Sequence, residues 1–308
     1  MTPEPGYIDL QVNGYAGVDF NRDNLTAEQL HLACEALRRD GVAGILATII
    51  TDDLAAMQRR ISRLVELRDA DELAKQMILG IHIEGPFISP IDGYRGAHPK
   101  DAVTPADTDA MQRLLDSAHG LTRMVTLAPE CDAGFKVTRL LADRGVIVAA
   151  GHTDASLDEL RGAIGSGLRV FTHLGNGCPM EMNRHDNIVQ RALSLVGDLV
   201  FTVIADGHHV PWFALGNYVR AAGAGGCVVV SDAISAAGLG PGRYTLGRWE
   251  VEIGDDLAAR APDGSHLVGS AVTMKAAAAG LGERLGLSGD EVGWMTRGGA
   301  LGLLGLGS

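Results

Sequence analysis

Three residues whose side chains can bind a metal ion stand at the ends of three apolar runs. Glu84 follows "MILGIHI", His152 follows "VIVAAG", and His173 follows "LRVFT". Two imidazoles and one carboxylate leave a coordination position open for water, which is a common ligand set for catalytic zinc. A metal ion there would lower the pKa of that water towards about 7 and polarise a carbonyl group. Each residue alone has a structural explanation, but together they predict one divalent ion, most typically Zn²⁺.

A fourth ionisable residue, Asp232, ends the apolar run "CVVVS". A carboxylate in so apolar a sequence needs a hydrogen-bonding or charged partner. One interpretation is a structural carboxylate that accepts hydrogen bonds from backbone amides. The other is a general base that takes a proton from the metal-bound water and later gives it to a leaving group. The second interpretation makes Asp232 the candidate catalytic residue.

These residues need elements that bring distant parts of the chain together, and the sequence contains eight candidate strands. Each is a short run rich in apolar and β-branched residues, followed by a connection long enough for a helix. Their ranges are 7–12, 43–50, 77–83, 122–128, 146–150, 168–173, 199–205 and 227–233. An open doubly wound sheet also alternates strands and helices, but polar residues end strand after strand, as on the C-terminal face of a barrel. We therefore predict an α/β fold, a (β/α)8 TIM barrel that residues 1–308 form as a single domain.

Composition limits the function classes. The net charge of −12 argues against a surface for nucleic acid or anionic membranes, since both would need a basic face. Four cysteines without a CxxC pair are typical of free thiols in a reducing compartment. The first residues show no signal-peptide pattern, and no apolar run is long enough to span a membrane. The expectation is a cytoplasmic protein with a small-molecule substrate.

Seven motifs extend along nearly the whole chain in a specific order and spacing. They are "PGYIDLQVNGYAGVDFN", "GIHIEGPFISP…GAH", "GHTDA", "THLGN", "ADGHHV", "VSDAISAAG" and "LVGSAVTM". In this series the chain resembles the N-acetylglucosamine-6-phosphate deacetylase family of the amidohydrolase superfamily, whose members are metal-dependent barrel hydrolases. The resemblance implies that Glu84, His152 and His173 bind the metal and that Asp232 is the catalytic acid and base.

The same resemblance implies a substrate and a set of contacts. The expected reaction is hydrolysis of the N-acetyl amide of an N-acetylhexosamine, giving acetate and the free amine. His98, His209 and the backbone around Asn176 and Gly177 would contact the sugar. A homodimer is also implied.

Two residues at the end of the first strand depart from a common amidohydrolase pattern. Many amidohydrolases have a His-x-His pair there, which binds a second metal ion. This chain has Gln11 and Asn13, and neutral amides are poor zinc ligands beside imidazole or carboxylate. The second-metal position is therefore expected to be vacant.

The segment after "THLGN" also departs from the family pattern. Members usually carry an arginine that reaches the sugar phosphate of a neighbouring subunit, and Arg184 aligns with it, followed by "HDN". Asp186 would repel a phosphate unless it turns away, whereas Asp and Asn side chains suit sugar hydroxyls. We expect N-acetylglucosamine-6-phosphate as the substrate, with an unphosphorylated N-acetylhexosamine as the alternative. A phosphate held elsewhere in the pocket is a further alternative.

The architecture is expected to differ as well. Family members usually carry a small β-sandwich built from residues before strand 1 and after the last barrel helix, and here it is expected to be absent or vestigial. Segment 240–270 contains the alternating "RYTLGRWEVEI" and a "PDG" turn, which predict a β-hairpin insertion after strand 8.

Three other functions stay open at this point. A hydrolase of another small N-acyl compound is disfavoured by the sugar-family motifs around His98 and His209. A barrel that binds sugar or metal without catalysis would have no need of Asp232. An iron oxygenase with two His and one carboxylate matches the ligand types, but the spacing suits hydrolysis better.

Overall fold

The eight predicted strands form one parallel sheet that curves into a nearly closed barrel. The structure is a computed structural model and describes residues 5–261, 264 and 267–307. The barrel strands are β1 (Tyr7–Val12), β2 (Val42–Ile50), β3 (Ile78–Glu84), β4 (Thr122–Leu127), β5 (Ile147–Ala150), β6 (Leu168–Phe171), β7 (Val200–Ile204) and β8 (Cys227–Val230). Neighbours in the sheet follow the order of the chain, and each adjacent pair is parallel. The predicted barrel is confirmed, and every predicted strand end is right to within three residues.

Helices cover the outside of the barrel. Their bounds are α1 (Ala27–Arg39), α2 (Leu54–Asp69), α3 (Glu72–Met77), α4 (Thr108–Ser117), α5 (Lys136–Ala142), α6 (Leu157–Gly165), α7 (Ile188–Leu193), α8 (Trp212–Ala222), α9 (Met274–Leu285), α10 (Gly289–Gly293) and α11 (Gly299–Leu304). Single helical turns of other types lie at Lys100–Ala102, Pro129–Cys131, Ala133–Phe135, Ala224–Gly226 and Trp294–Gly298. The capping residues explain where helices begin: at α1, Thr26 and Gln29 form the reciprocal hydrogen bonds of a capping box. None of the helices in the described part of the chain is long and apolar enough to cross a bilayer.

Alternation along the strands separates the barrel interior from the core beneath the helices. On β2, Ile45, Ala47 and Ile49 belong to the helix-facing core, whereas Leu46 belongs to the interior cluster. This is the period of two that a strand imposes on its side chains. The interior cluster also includes Ile8, Leu10, Met124, Ala149, Val170, Ile204, Val228 and Val230.

A belt of polar side chains crosses the barrel interior just before the predicted site residues. His82 Nε2 lies 2.8 Å from Thr126 Oγ1, which lies 2.8 Å from Thr172 Oγ1. Burial lowers the pKa of His82 to about 4, so this imidazole is neutral and has a structural role. Since Glu84 follows His82 by two residues on β3, the belt supports the strand end that carries it.

The segment after β8 forms a small antiparallel sheet over one side of the barrel mouth. Its strands are β9 (Gly242–Leu246), β10 (Trp249–Ile253) and β11 (Ala259–Arg260). The turn between β9 and β10 is tied to the barrel, because Gly247 N donates to Asp19 Oδ2 at 2.7 Å and the Arg248 guanidinium pairs with Asp52. Of the predicted "PDG" turn, Pro262 and Asp263 lie outside the described residues.

The opposite, N-terminal end of the barrel is closed by the end of the chain. Ala300 and Leu301 of α11 are buried in the interior cluster with Ile8 and Val228. A cavity of about 400 Å³ lies at this end, lined mainly by apolar residues together with Arg169. Among the described residues that line it, Arg169 is the only charged one, so this cavity is not a candidate catalytic site.

Candidate metal centre and substrate pocket

Glu84 is the centre of a cluster of buried imidazoles at the C-terminal mouth of the barrel. Its Oε1 lies 3.2 Å from His152 Nε2 and 3.1 Å from His173 Nε2. The structure therefore brings together the three residues that the sequence predicts as metal ligands. His98 joins them, since its Nε2 lies 3.2 Å from His152 Nε2. The ligand atoms of Glu84, His98 and His152 all lie within 4.8 Å of one another.

The donor set fits a metal ion. His152 Nδ1 lies 3.0 Å from the carbonyl oxygen of Tyr94, so Nδ1 carries the proton and Nε2 presents a lone pair. That lone pair faces the Glu84 oxygen and the His98 ring nitrogen, and a cation between these electron-rich atoms would satisfy all of them. Burial raises the pKa of Glu84, but the adjacent His152 and His173 outweigh burial and hold the pKa of this carboxyl well below its usual range. Glu84 is therefore ionised, as a carboxylate metal ligand must be.

The backbone at the site residues is unusual. His152, His173 and Asp232 have φ angles of 52°, 33° and 50°, in the left-handed region. Only seven non-glycine residues of the described chain have a positive φ, and such strained conformations cluster at functional sites. They also explain why β6 and β8 end at Phe171 and Val230, earlier than the predicted 173 and 233: the chain leaves the extended conformation to turn these side chains into the mouth.

Asp232 faces Glu84 across the mouth and is held by two amides from the end of β1. Asn13 Nδ2 and Gln11 Nε2 donate to Asp232 Oδ1 at 2.8 and 3.1 Å, and Gln11 Nε2 also donates to Glu84 Oε1 at 3.0 Å. Burial, followed by the charge of Glu84, raises the pKa of Asp232 to about 7. The two amides thus serve as hydrogen-bond donors to the carboxylates.

The site opens into a pocket of about 780 Å³. Its walls include the predicted metal ligands and Asp232, together with the predicted substrate contacts His98, Asn176, Gly177 and His209. His209 Nδ1 is fixed by Asp206 Oδ2 at 2.7 Å. Residues Leu246, Arg260 and Leu267 come from the segment after β8, so the small sheet forms part of the wall.

Arg184, by contrast, is exposed and is not among the residues that line the pocket. Its neighbour Asp186 is turned to Arg191, whose Nε donates to Asp186 Oδ1 at 2.6 Å. The same guanidinium donates to Asp154 Oδ1 at 3.0 Å. The charge of Asp186 is therefore paired with a guanidinium of the same chain.

Sequence reasoning missed two groups that hold the ligands in place. The Tyr94 carbonyl sets the tautomer of His152, but a backbone contact leaves no sequence pattern. Glu130 accepts hydrogen bonds from the Thr153 hydroxyl and from Asp154 N, the latter at 2.7 Å, and so holds the loop that carries His152. Its position at the end of β4, after "TLAP", is the signal that could have assigned it this role.

The fold and the site together define the class of protein: a (β/α)8 barrel with a candidate metal centre at its C-terminal mouth, the arrangement of metal-dependent barrel hydrolases. Comparison with known proteins then identifies the family. The N-acetylglucosamine-6-phosphate deacetylase of Homo sapiens is 36% identical over 277 residues, which are 88% of this chain and 66% of the human protein. The N-acetylgalactosamine-6-phosphate deacetylase of Escherichia coli O157:H7 is 30% identical over 93% of this chain and 74% of its own length.

Structural comparison agrees with these matches. A variant of N-acetyl-D-glucosamine-6-phosphate deacetylase from Mycobacterium smegmatis, in complex with N-acetyl-D-glucosamine-6-phosphate, superposes with a TM-score of 0.88 at 28% identity, covering 98% of this chain and 77% of the other. No protein-family model matches the chain. The chain belongs to the N-acetylglucosamine-6-phosphate deacetylase family, of the amidohydrolase superfamily. It spans about two thirds of the length of the human relative.

Proposed function

We propose that this protein hydrolyses the N-acetyl amide of N-acetylglucosamine-6-phosphate, giving acetate and glucosamine-6-phosphate. The observation that carries the proposal is the joint placement of Glu84, His152, His173 and Asp232 in one pocket of a barrel of this family. A barrel that only binds sugar or metal would not need a buried carboxylate opposite the ligand cluster. Burying Asp232 beside Glu84 costs free energy, and a catalytic role explains why a carboxylate is present there despite this cost.

We assign Glu84, His152 and His173 to one divalent ion, Zn²⁺, with His98 beside them. When bound, such an ion polarises the acetyl carbonyl and lowers the pKa of water. Gln11 and Asn13 occupy Asp232 Oδ1, and this leaves Oδ2 to receive the proton of the attacking water. Because the pKa of Asp232 is about 7, the carboxyl can accept that proton and release it to the departing nitrogen at neutral pH.

The sugar would lie in the pocket between the β6 loop and the small sheet. His98, His209 and the backbone around Asn176 and Gly177 would contact it, and all four residues line the pocket. Arg184 does not line the pocket of its own chain, so binding of the phosphate by Arg184 requires a homodimer in which it reaches the substrate of the neighbouring copy. Exposed apolar side chains on the loops around the mouth, Ile91 at 55% and Met180 fully exposed, support such an interface.

An unphosphorylated N-acetylhexosamine is the second candidate substrate. It is favoured by one observation: Arg184 contributes nothing to the pocket of its own chain. We further propose that the protein acts as a single barrel domain in the cytoplasm. The four cysteines are free, which suits a reducing compartment.

An acetate-release assay tests the function. Zinc-loaded protein is compared on N-acetylglucosamine-6-phosphate, N-acetylgalactosamine-6-phosphate, N-acetylglucosamine and an N-acetyl amino acid. We expect the highest kcat/KM on N-acetylglucosamine-6-phosphate and loss of activity after chelation, with recovery on adding zinc. Preference for the unphosphorylated sugar would select the second candidate, and acetate release from none of the four would refute both.

A further inference from the structure

The barrel has a seam between β1 and β8, and Asp232 lies on it. Within the described residues one bridge joins these two edges, between Val12 of β1 and Ala233 three residues after β8, whereas the other adjacent pairs form ladders. Asn13 N and Gly14 N both donate to Ala233 O, at 2.7 and 3.2 Å. The amide donors to Asp232 come from the β1 side of the seam and the carboxylate from the β8 side. The distance between the β1 edge and the β8 edge therefore determines the lengths of the hydrogen bonds that Asp232 accepts.

A buried carboxylate, Asp9, spans this seam. Asp9 is 1% exposed, and its Oδ1 accepts hydrogen bonds from Ser231 N at 3.1 Å and Gln11 N at 3.2 Å. Its Oδ2 accepts the Ser231 hydroxyl at 2.5 Å. Ser231 Oγ in turn accepts from Ala233 N at 3.0 Å. One carboxylate and one hydroxyl thus bond the residues immediately before and after Asp232.

No cation among the described residues accounts for a carboxylate at this position. Asp9 forms no ion pair with the charged side chains of the described residues, and it does not line the pocket. Burying an unpaired carboxylate is costly. If the side chain at this position only filled space, burying a neutral residue would have cost less free energy.

We propose that Asp9 is a positioning residue for the reaction: together with Ser231 it clamps the seam, so that Asp232 keeps its left-handed conformation and its distance to Gln11 and Asn13. This rests on the proposed function. A backbone strained at φ 50° persists only where surrounding bonds over-determine it. Here those bonds are the clamp before Asp232 and, after it, the hydrogen bond from Ser270 N to Asp232 O at 2.9 Å.

The variants Ser231→Ala and Asp9→Asn test the clamp in zinc-loaded protein. We expect kcat on N-acetylglucosamine-6-phosphate to fall about tenfold to hundredfold, because misplacing a reacting group by about 1 Å has this effect. KM should stay within about threefold, since neither residue contacts the sugar, and the zinc content should be unchanged. Ser231→Thr keeps the hydroxyl and should stay within about threefold of the wild-type kcat.

Asp132→Asn is the matched control. Asp132 is also a buried carboxylate bonded by a hydroxyl and main-chain N–H groups: its Oδ2 accepts from Thr138 N and Thr138 Oγ1, both at 2.8 Å, and its Oδ1 from Val137 N. It does not line the pocket. We expect this variant to lose thermal stability while keeping kcat within about twofold, which separates loss of a buried carboxylate from loss of the clamp.

Amide hydrogen exchange on substrate-free protein gives a readout independent of activity. The segment that contains residues 231–233 should exchange faster in Ser231→Ala and Asp9→Asn than in the wild type, and at the wild-type rate in Asp132→Asn. The proposal is overturned if Ser231→Ala and Asp9→Asn match the kcat of the control, or if Ser231→Thr is as slow as Ser231→Ala. If the wild type releases no acetate, the proposed function fails, and exchange alone decides whether the clamp exists.

Discussion

Replacing Asp232 by Asn separates the catalytic role of this carboxyl from its structural role. The two side chains have the same shape, and Asn can keep its carbonyl oxygen where Oδ1 accepts from Asn13 Nδ2 at 2.8 Å and Gln11 Nε2 at 3.1 Å. Only the Oδ2 position changes, from an oxygen that can take a proton to an amide nitrogen that cannot. The left-handed backbone is tolerated as well, because Asn adopts this region more readily than most residues.

The expected loss follows from that single change. A positioned acid or base typically contributes about 10²- to 10⁴-fold to a rate, which corresponds to about 3–5 kcal/mol of activation free energy. Stability should not fall, because burial and the charge of Glu84 raise the pKa of Asp232. A neutral amide removes the repulsion between the two carboxylates, and the midpoint of thermal unfolding should stay the same or rise.

The assay measures acetate release under saturating substrate, with zinc content and thermal unfolding recorded on the same samples. Asp132→Asn, with its buried carboxylate outside the pocket, serves as the control. A variant that binds zinc like the wild type, melts no earlier, and loses at least a hundredfold in kcat supports the assignment. Turnover within about fivefold of the wild type would refute the acid and base role of Asp232, whatever the fate of the other site residues.

Three further predictions concern the metal, the phosphate and a buried carboxylate. Chelated and reloaded protein should hold one zinc ion per chain by elemental analysis, because the amide nitrogens of Gln11 and Asn13 are engaged with Asp232; two tightly held ions would contradict a single site. Arg184→Ala should weaken kcat/KM on N-acetylglucosamine-6-phosphate about tenfold or more, the value of a charge-assisted hydrogen bond, and leave N-acetylglucosamine unaffected; equal losses on both would remove Arg184 from phosphate binding. Burial raises the pKa of Asp19 to about 6, so the folded protein binds a proton at Asp19 more tightly than the unfolded chain does. The resulting contribution to the free energy of unfolding is fully present below pH 4 and is lost as pH rises through 6. Relative to Asp19→Asn, the wild type should lose up to about 3 kcal/mol of unfolding free energy between pH 4 and 7; denaturant unfolding at both pH values checks this, and a constant difference would disprove it.

Much of the fold could be predicted because its signals are local. Alternation of side chains along β2 and the apolar runs of β3 to β8 are properties of short segments, and so is the capping box at Thr26. Glu84, His152, His173 and Asp232 could be proposed for the site since each ends an apolar run. In a parallel barrel, the C-terminal ends of all strands lie at the same mouth.

Local signals failed where the backbone leaves the strand. The predicted ranges 168–173 and 227–233 run too far, since a run of apolar residues does not show where φ becomes positive. That change depends on the contacts of His173 and Asp232 in the folded barrel: His173 N, for example, donates to Thr202 Oγ1 at 2.7 Å, a residue on the next strand.

The sequence by itself determined the class of fold and the chemical types at the mouth, because both depend on residue type and on periods of a few residues. Only the tertiary structure decided which partner each of these side chains contacts and therefore which role it has. Closing the seam between β1 and β8 brings Gln11 and Asn13 to Asp232, over more than 200 residues of chain, and makes them hydrogen-bond donors. The same closure buries Asp9 against Ser231, and the fold of the loop before α7 pairs Asp186 with Arg191. These roles depend on distances between remote residues, and no local pattern encodes such distances.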